Sequence, residues 1–124
     1  MQDNDIEFDY RSGLSDEEMV QAYVQADIIA FASTYEGFGM PILEGQATGR
    51  PVITSNISSM PEVAGNAACL VDPFDVTAIR AAFDKVITDD AYREKLIMDG
   101  LENVKRFSPQ LIADKYLQLY KQMV

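Results

Sequence analysis

Apolar positions along this chain follow three rhythms, and each predicts a different kind of element. Ile6, Phe8 and Tyr10 alternate with Glu7 and Asp9, the period-two pattern of a half-buried or edge strand. Ser15 then opens a helix: Glu18 completes a Ser-x-x-Glu capping box, and Met19, Val20, Tyr23 and Val24 recur at helical spacing. Ile28–Ala32 ("IIAFA") is a continuous apolar run, as in a parallel strand buried on both faces. A second helix begins at Pro41 and ends near Gly49, and Pro51–Ser55 ("PVITS") is the next buried strand. "NISS" reads as a loop, "MPEVAG" as a short helical turn closed by Gly65, and "AACLV" as a further strand. Three helices follow at about 75–88, 90–105 and 109–122, the last with Ser108 as cap, Pro109 in its first turn and a stripe of Leu111, Ile112, Tyr116, Leu119 and Tyr120. Strands alternating with helices over short loops predict an α/β fold: a doubly wound, Rossmann-like parallel sheet of about four strands, then three C-terminal helices.

Composition narrows the class without changing that outline. A chain of 124 residues that is 48% hydrophobic has material for one core, and no apolar run approaches a membrane span. The acidic opening "MQDNDIEFDY" lacks the basic-then-apolar pattern of a secretion signal. With no histidine and Cys69 as the only cysteine, neither a disulfide framework nor a usual zinc site is expected, and a cytoplasmic setting (or the inner face of a membrane) fits. The net charge of −10 argues against nucleic acid as a partner. Its distribution is uneven. Arg11 and Arg50 are the only bases before residue 80, against thirteen acids, so an anion bound in that region finds few cations.

The chemistry concentrates where the second apolar strand ends. "STYEGFGMPILE" (Ser33–Glu44) holds two glycines, a proline at a helix start and two carboxylates eight positions apart, Glu36 and Glu44. In open α/β sheets, ligands bind beyond the carboxyl ends of strands, and the loops Ser12–Ser15, Ser33–Pro41 and Asn56–Pro61 are expected to meet there. Gly37 and Gly39 allow positive φ or a close backbone approach. Free N–H groups near Ile42 and Leu43 would attract an anion such as a diphosphate. Two carboxylates oppose phosphate but suit vicinal hydroxyls. A nucleotide-sugar has both a diphosphate and two polyols. The alternative is structural: Gly-Phe-Gly before a helix is common, and a glutamate near a helix start is a favourable charge–dipole contact. A glycosidase with Glu36 and Glu44 as acid and nucleophile is disfavoured, because such a pair flanks an open sugar site rather than a helix start offering phosphate donors.

The stretch "ASTYEGFGMPILEGQATGRPVITSNISSMPEVAGNAACLVDP" resembles the signature region of the retaining GT-B glycosyltransferases of glycosyltransferase family 4 (glycosyl transferases group 1). Their pattern, Pro-Ser-x-x-Glu-Gly-Phe-Gly-x-Pro-x-x-Glu-Ala, then Gly-x-Pro-Val and Pro-Glu-Val-x-Gly, is matched in order, with Glu36 and Glu44 as its Glu-x7-Glu element. "SGLSDEEMVQAYVQAD" is similar to the family's upstream helix. The resemblance implies that Glu36 touches the donor hexose beside the reacting carbon. It implies that backbone of Phe38, Gly39 and Met40 lines the sugar, with Gly37 and Pro41 in the same donor-binding loop, that Ile42 and Leu43 offer N–H groups to the diphosphate, that Glu44 holds the ribose, and that Leu14 packs on the base. It implies hexosyl transfer from a UDP-, GDP- or ADP-sugar with retention, no metal and no further cofactor. Departures from the pattern are Ala32 for proline, Gly45 for alanine, Arg11 and Ser12 before the first helix, and the loss of the frequent tryptophan from "FSP" at Phe107–Pro109. The resemblance covers residues 1–124 as part of a C-terminal nucleotide-sugar-binding domain. It therefore implies that two strands, the cations for the diphosphate and the acceptor domain lie elsewhere, and that this stretch alone is inactive. A sheet edge left open would favour a homodimer. A non-catalytic interaction module on the same fold is the competing expectation.

Overall fold

The computed structural model describes residues 6–124. Helix α1 (Asp16–Gln25) starts as its capping box requires: the Ser15 N–H donates to Glu18 Oε2 at 2.8 Å, and Ser15 Oγ accepts from the Glu18 N–H at 3.3 Å. Strand β1 (Ile29–Phe31) leads through the Ser33–Gly39 loop to α2 (Met40–Ala47). Then follow β2 (Val52–Ser55), the short α3 (Met60–Ala64), β3 (Cys69–Val71), α4 (Val76–Thr88) and α5 (Asp90–Asn103). A single 3-10 turn (Val104–Phe107) joins α5 to α6 (Pro109–Met123). Asp75, Asp89 and Ser108 cap α4, α5 and α6 through their side-chain oxygens. The three C-terminal helices lie where the apolar periodicity puts them.

The sheet is parallel and ordered β1-β2-β3, with Ile29 opposite Val52 and Ile53 opposite Cys69. Central β2 is buried at all four residues, and its alternating side chains feed two cores. Val52 joins Ile42, Leu43, Met60, Val63 and Ala64 under α2 and α3. Ile53 joins Cys69, Val71, Ala82, Val86 and Leu96 under α4 and α5. Helices therefore cover both faces, as doubly wound topology demands. Each fully buried aliphatic side chain contributes about 1.5–3 kcal/mol. Contact between α2 and the sheet is tight at Gly45, where a Cβ would stand 2.9 Å from Ile29 Cγ1 and 3.1 Å from Val52 Cγ2.

A polar network inside this packing sets the distance between α2 and α5. Gln46 donates through Nε2 to the Ala64 and Ala67 carbonyls at 3.2 and 3.1 Å. Asn103 Nδ2 donates to Gln46 Oε1 at 2.8 Å and to the Val63 carbonyl at 2.9 Å. Arg106 Nη1 closes the set on Asn103 Oδ1 at 2.6 Å. Each buried polar atom has its partner, so the network holds α2, α3 and α5 in one arrangement without an unsatisfied group.

One expected strand is not formed. Ile6–Tyr10 has no regular structure, and Ile6, Phe8 and Tyr10 are 54%, 63% and 83% exposed, so the sheet has three strands rather than about four. Alternation marks a segment able to line a sheet, but it pairs only where a neighbouring strand offers its edge. β1 pairs with β2, and none of residues 6–10 pairs with β1. Helices α1 and α6 likewise contain no buried residue, so both apolar stripes lie largely open to solvent.

Candidate functional site

The Ser33–Gly39 loop is a built structure at the carboxyl end of β1. Ser55, the last residue of β2, donates through Oγ to the Ser33 carbonyl at 2.5 Å and so anchors the loop's entry. Ser33 Oγ donates to Glu36 Oε1 at 3.0 Å, with the Tyr35 carbonyl also in reach at 3.2 Å. From the loop after β2, Ser58 and Ser59 donate to the Glu36 carbonyl at 2.9 and 3.0 Å, and Ser59 Oγ also lies 2.9 Å from the Phe38 carbonyl. Glu36 is half-buried. Among the described residues its Oε2 has no hydrogen-bond partner and is left as an acceptor.

Gly39 ends the loop in the left-handed region (φ 102°), which only glycine adopts without cost, and acts as N-cap of α2. It has no side chain to close the helix start, and Pro41 has no N–H. The expected pair of free donors is reduced, because the Ile42 N–H already donates to the Gly39 carbonyl at 3.1 Å. Gly37 does not have positive φ, and a Cβ there would meet nothing within 4 Å, so open space adjoins it.

Glu44 sits one helical turn further on, half-buried, and Tyr23 from α1 donates its hydroxyl to Glu44 Oε2 at 2.6 Å. Burial, followed by the hydrogen bond to Glu44 and its charge, pushes the Tyr23 phenol well above its ordinary value of 10.0. The phenol thus stays protonated and donating, while Glu44 Oε1 has no partner among the described residues. Away from this corner, burial and then the neighbouring Cys69 thiol push Tyr92 up to about 12.

The remaining expected residues divide between two other surfaces. Phe38, Met40 and Leu43 line a groove of about 550 Å³ with Phe107, Ile112 and Lys115. Phe38 meets Phe107 edge to face at 5.6 Å. Leu14 lies in a shallow cleft with Arg11, Glu17 and Gln21, whose walls include neither Glu36 nor Glu44. Arg11 itself pairs with Asp9 at 2.6 Å. The loops after β1 and β2 therefore meet, whereas Leu14 of the Ser12–Ser15 segment lines a cleft with α1. Tyr23, Ser58 and Ser59 are the residues that sequence reading passed over. A phenol inside an apolar helical stripe is the one signal that could have drawn attention to Tyr23. The two serines lie in the Asn56–Pro61 loop, which is expected at these strand ends, but nothing in the sequence singles them out.

Among the described residues no group of three or more His, Cys, Asp or Glu side chains gathers as a metal site, and no helix is long and apolar enough to cross a membrane. The architecture is that of a Rossmann-like α/β unit, with two partly unengaged carboxylates flanking a helix start beyond the carboxyl ends of its strands. The profile of the family described as "Glycosyl transferases group 1" matches residues 6–102, and the chain belongs to that family. It is 39% identical over 112 residues to the O-antigen chain mannosyltransferase B of Escherichia coli, covering 90% of this chain and 29% of that protein. It is 32% identical over 117 residues to the MMP alpha-(1->4)-mannosyltransferase of Mycolicibacterium hassiacum, covering 91% and 28%. Among solved structures, sucrose-phosphate synthase from Thermosynechococcus elongatus superposes with a TM-score of 0.76 at 31% identity, over 90% of this chain and 29% of that one. The chain spans less than a third of the length of these relatives.

Proposed function

We propose that this chain forms the donor-binding part of a retaining glycosyltransferase site that takes a hexosyl group from a nucleoside diphosphate sugar. The observation that carries the reading is the pair of carboxylates, Glu36 and Glu44. Each has one oxygen held by a protein hydroxyl and the other without a partner among the described residues, on either side of the α2 start. Glu36 would accept from hexose hydroxyls beside the anomeric carbon, and Glu44, oriented by Tyr23, from the ribose diol. The backbone from Gly37 to Pro41 would line the sugar, with the open space at Gly37 as its approach. The α2 N-terminus, with Leu43 rather than the engaged Ile42 N–H, would face the diphosphate. Leu14 would pack on the base. Similarity to two enzymes named mannosyltransferases favours mannose as the hexose.

The scarcity of bases before residue 80 supports a division of labour. The charge on the leaving diphosphate would be neutralised by cations from the rest of the protein, and the acceptor would be bound there too. This stretch would then bind donor without turning it over. The test is an NMR titration with GDP-mannose, UDP-glucose and ADP-glucose, beside Glu44→Ala. Shifts confined to Gly37–Glu44 with one nucleotide are expected, and the mutant should bind about tenfold or more weakly, the cost of losing hydrogen bonds to a charged acceptor. No response from this chain, and none from a longer one carrying the upstream cations, would overturn the reading.

A further inference from the structure

Ser58 is the only non-glycine residue in the left-handed region among those described (φ 57°). Serine has no particular liking for that conformation, and such strain persists where the surroundings over-determine it. Its hydroxyl donates to the Glu36 carbonyl at 2.9 Å, and the Glu36 N–H approaches the same oxygen at 3.4 Å. Both backbone groups of Glu36 thus face one side chain. Ser59 adds a second anomaly. It is the N-cap of α3, where a serine ordinarily bonds its own helix's N–H groups, yet it makes no such bond. Its hydroxyl reaches across to the Glu36 and Phe38 carbonyls instead. One serine is held in a disfavoured backbone state and the next forgoes its cap, and both converge on the same carbonyl.

We propose that Ser58 and Ser59 are positioning residues for Glu36: they hold its backbone so that, with Oε1 on Ser33, the unengaged Oε2 is presented to the sugar of the donor. The inference rests on the donor reading above and adds to it the device that aims the carboxylate. The clamp joins the ends of two neighbouring strands, because Ser33 follows β1 while Ser58 and Ser59 follow β2. The short α3 behind Ser59 is fixed in turn by the Gln46 and Asn103 bonds to its carbonyls. The orientation of Glu36 is therefore referred back to the buried core.

The test compares Ser58→Gly, Ser59→Ala, the double variant, Ser59→Thr and Glu36→Gln in this chain. Glycine at 58 relieves the left-handed strain while removing the hydroxyl, so Tm is expected to hold or rise while the loop loosens. A merely structural role would lower Tm and accelerate exchange at Val52–Ser55 as well as in the loop. In the double variant, amide exchange at Tyr35–Phe38 should accelerate about tenfold or more, with Val52–Ser55 unchanged. Affinity for whichever of GDP-mannose, UDP-glucose or ADP-glucose shifts the wild type should fall about fivefold or more, while affinity for the matching bare diphosphate stays within about twofold, and Ser59→Thr should restore the loss of Ser59→Ala. Unaltered exchange at Tyr35–Phe38 overturns the clamp whatever the ligand results. Loss of sugar-dependent affinity in Glu36→Gln but not in the serine variants overturns the clamp and leaves the donor reading standing. If Glu36→Gln changes nothing, the donor reading fails, and the inference fails with it.

Discussion

Helices α2 and α6 carry similar start signals and have opposite fates. Both begin with proline in the first turn, and α6 adds a serine cap and a regular apolar stripe. Yet eight-residue α2 buries Ile42, Leu43, Gly45 and Gln46, whereas fifteen-residue α6 buries nothing. The better-formed amphipathic helix is the less buried one. Capping and periodicity specify that a segment is helical and which face is apolar; burial depends on surface supplied from elsewhere in the chain. For α2 that surface is β1 and β2, pressed close at Gly45. For α6 it is a partial wall of Phe38, Met40, Leu43 and Phe107, which leaves Leu119 51% exposed.

The comparison breaks if substitutions on the two helices cost the same. Ile42→Ala, at a fully buried position, should destabilise by about 2–5 kcal/mol, with a large drop in the urea midpoint. Next comes the polar tie between α2 and α5. Asn103→Ala removes the donor to Gln46 Oε1 and the Val63 carbonyl, leaving both buried, and should cost about 1–3 kcal/mol in the same assay. Smallest is Leu119→Ala on α6, where about 0.5 kcal/mol or less is expected. A Leu119 effect matching that of Ile42 would mean that α6 is covered in solution by something this chain does not contain.

The same distinction explains what could be read in advance. The helices and the three formed strands follow from local signals: capping residues, prolines, helical spacing and the short continuous apolar runs between helices. The Ile6–Tyr10 strand was misread because alternation describes a segment's faces and not whether a neighbour exists. At the candidate site, Glu36, Gly39 and Glu44 stood out from residue type and spacing, and the structure places all three around the start of α2. Tyr23, Ser58 and Ser59 were not, since a hydroxyl's partner is set by tertiary approach across 21 to 23 residues of sequence. Gln46 and Asn103, 57 residues apart, were hidden for the same reason.

The missing side chain at Gly45 ties the history of this position to that of Ile29. The family pattern usually has alanine where this chain has glycine, but an alanine methyl would fall within 2.9 Å of Ile29 Cγ1. The two residues compete for one volume, with Val52 Cγ2 at 3.1 Å on its border, so a methyl gained on the helix must be met by a shift or a loss on the strand side. Homologues with alanine on this helix should therefore carry a slimmer or differently branched residue on the facing strand. Such paired exchange would let lineages drift between the two solutions only through a crowded or hollow intermediate.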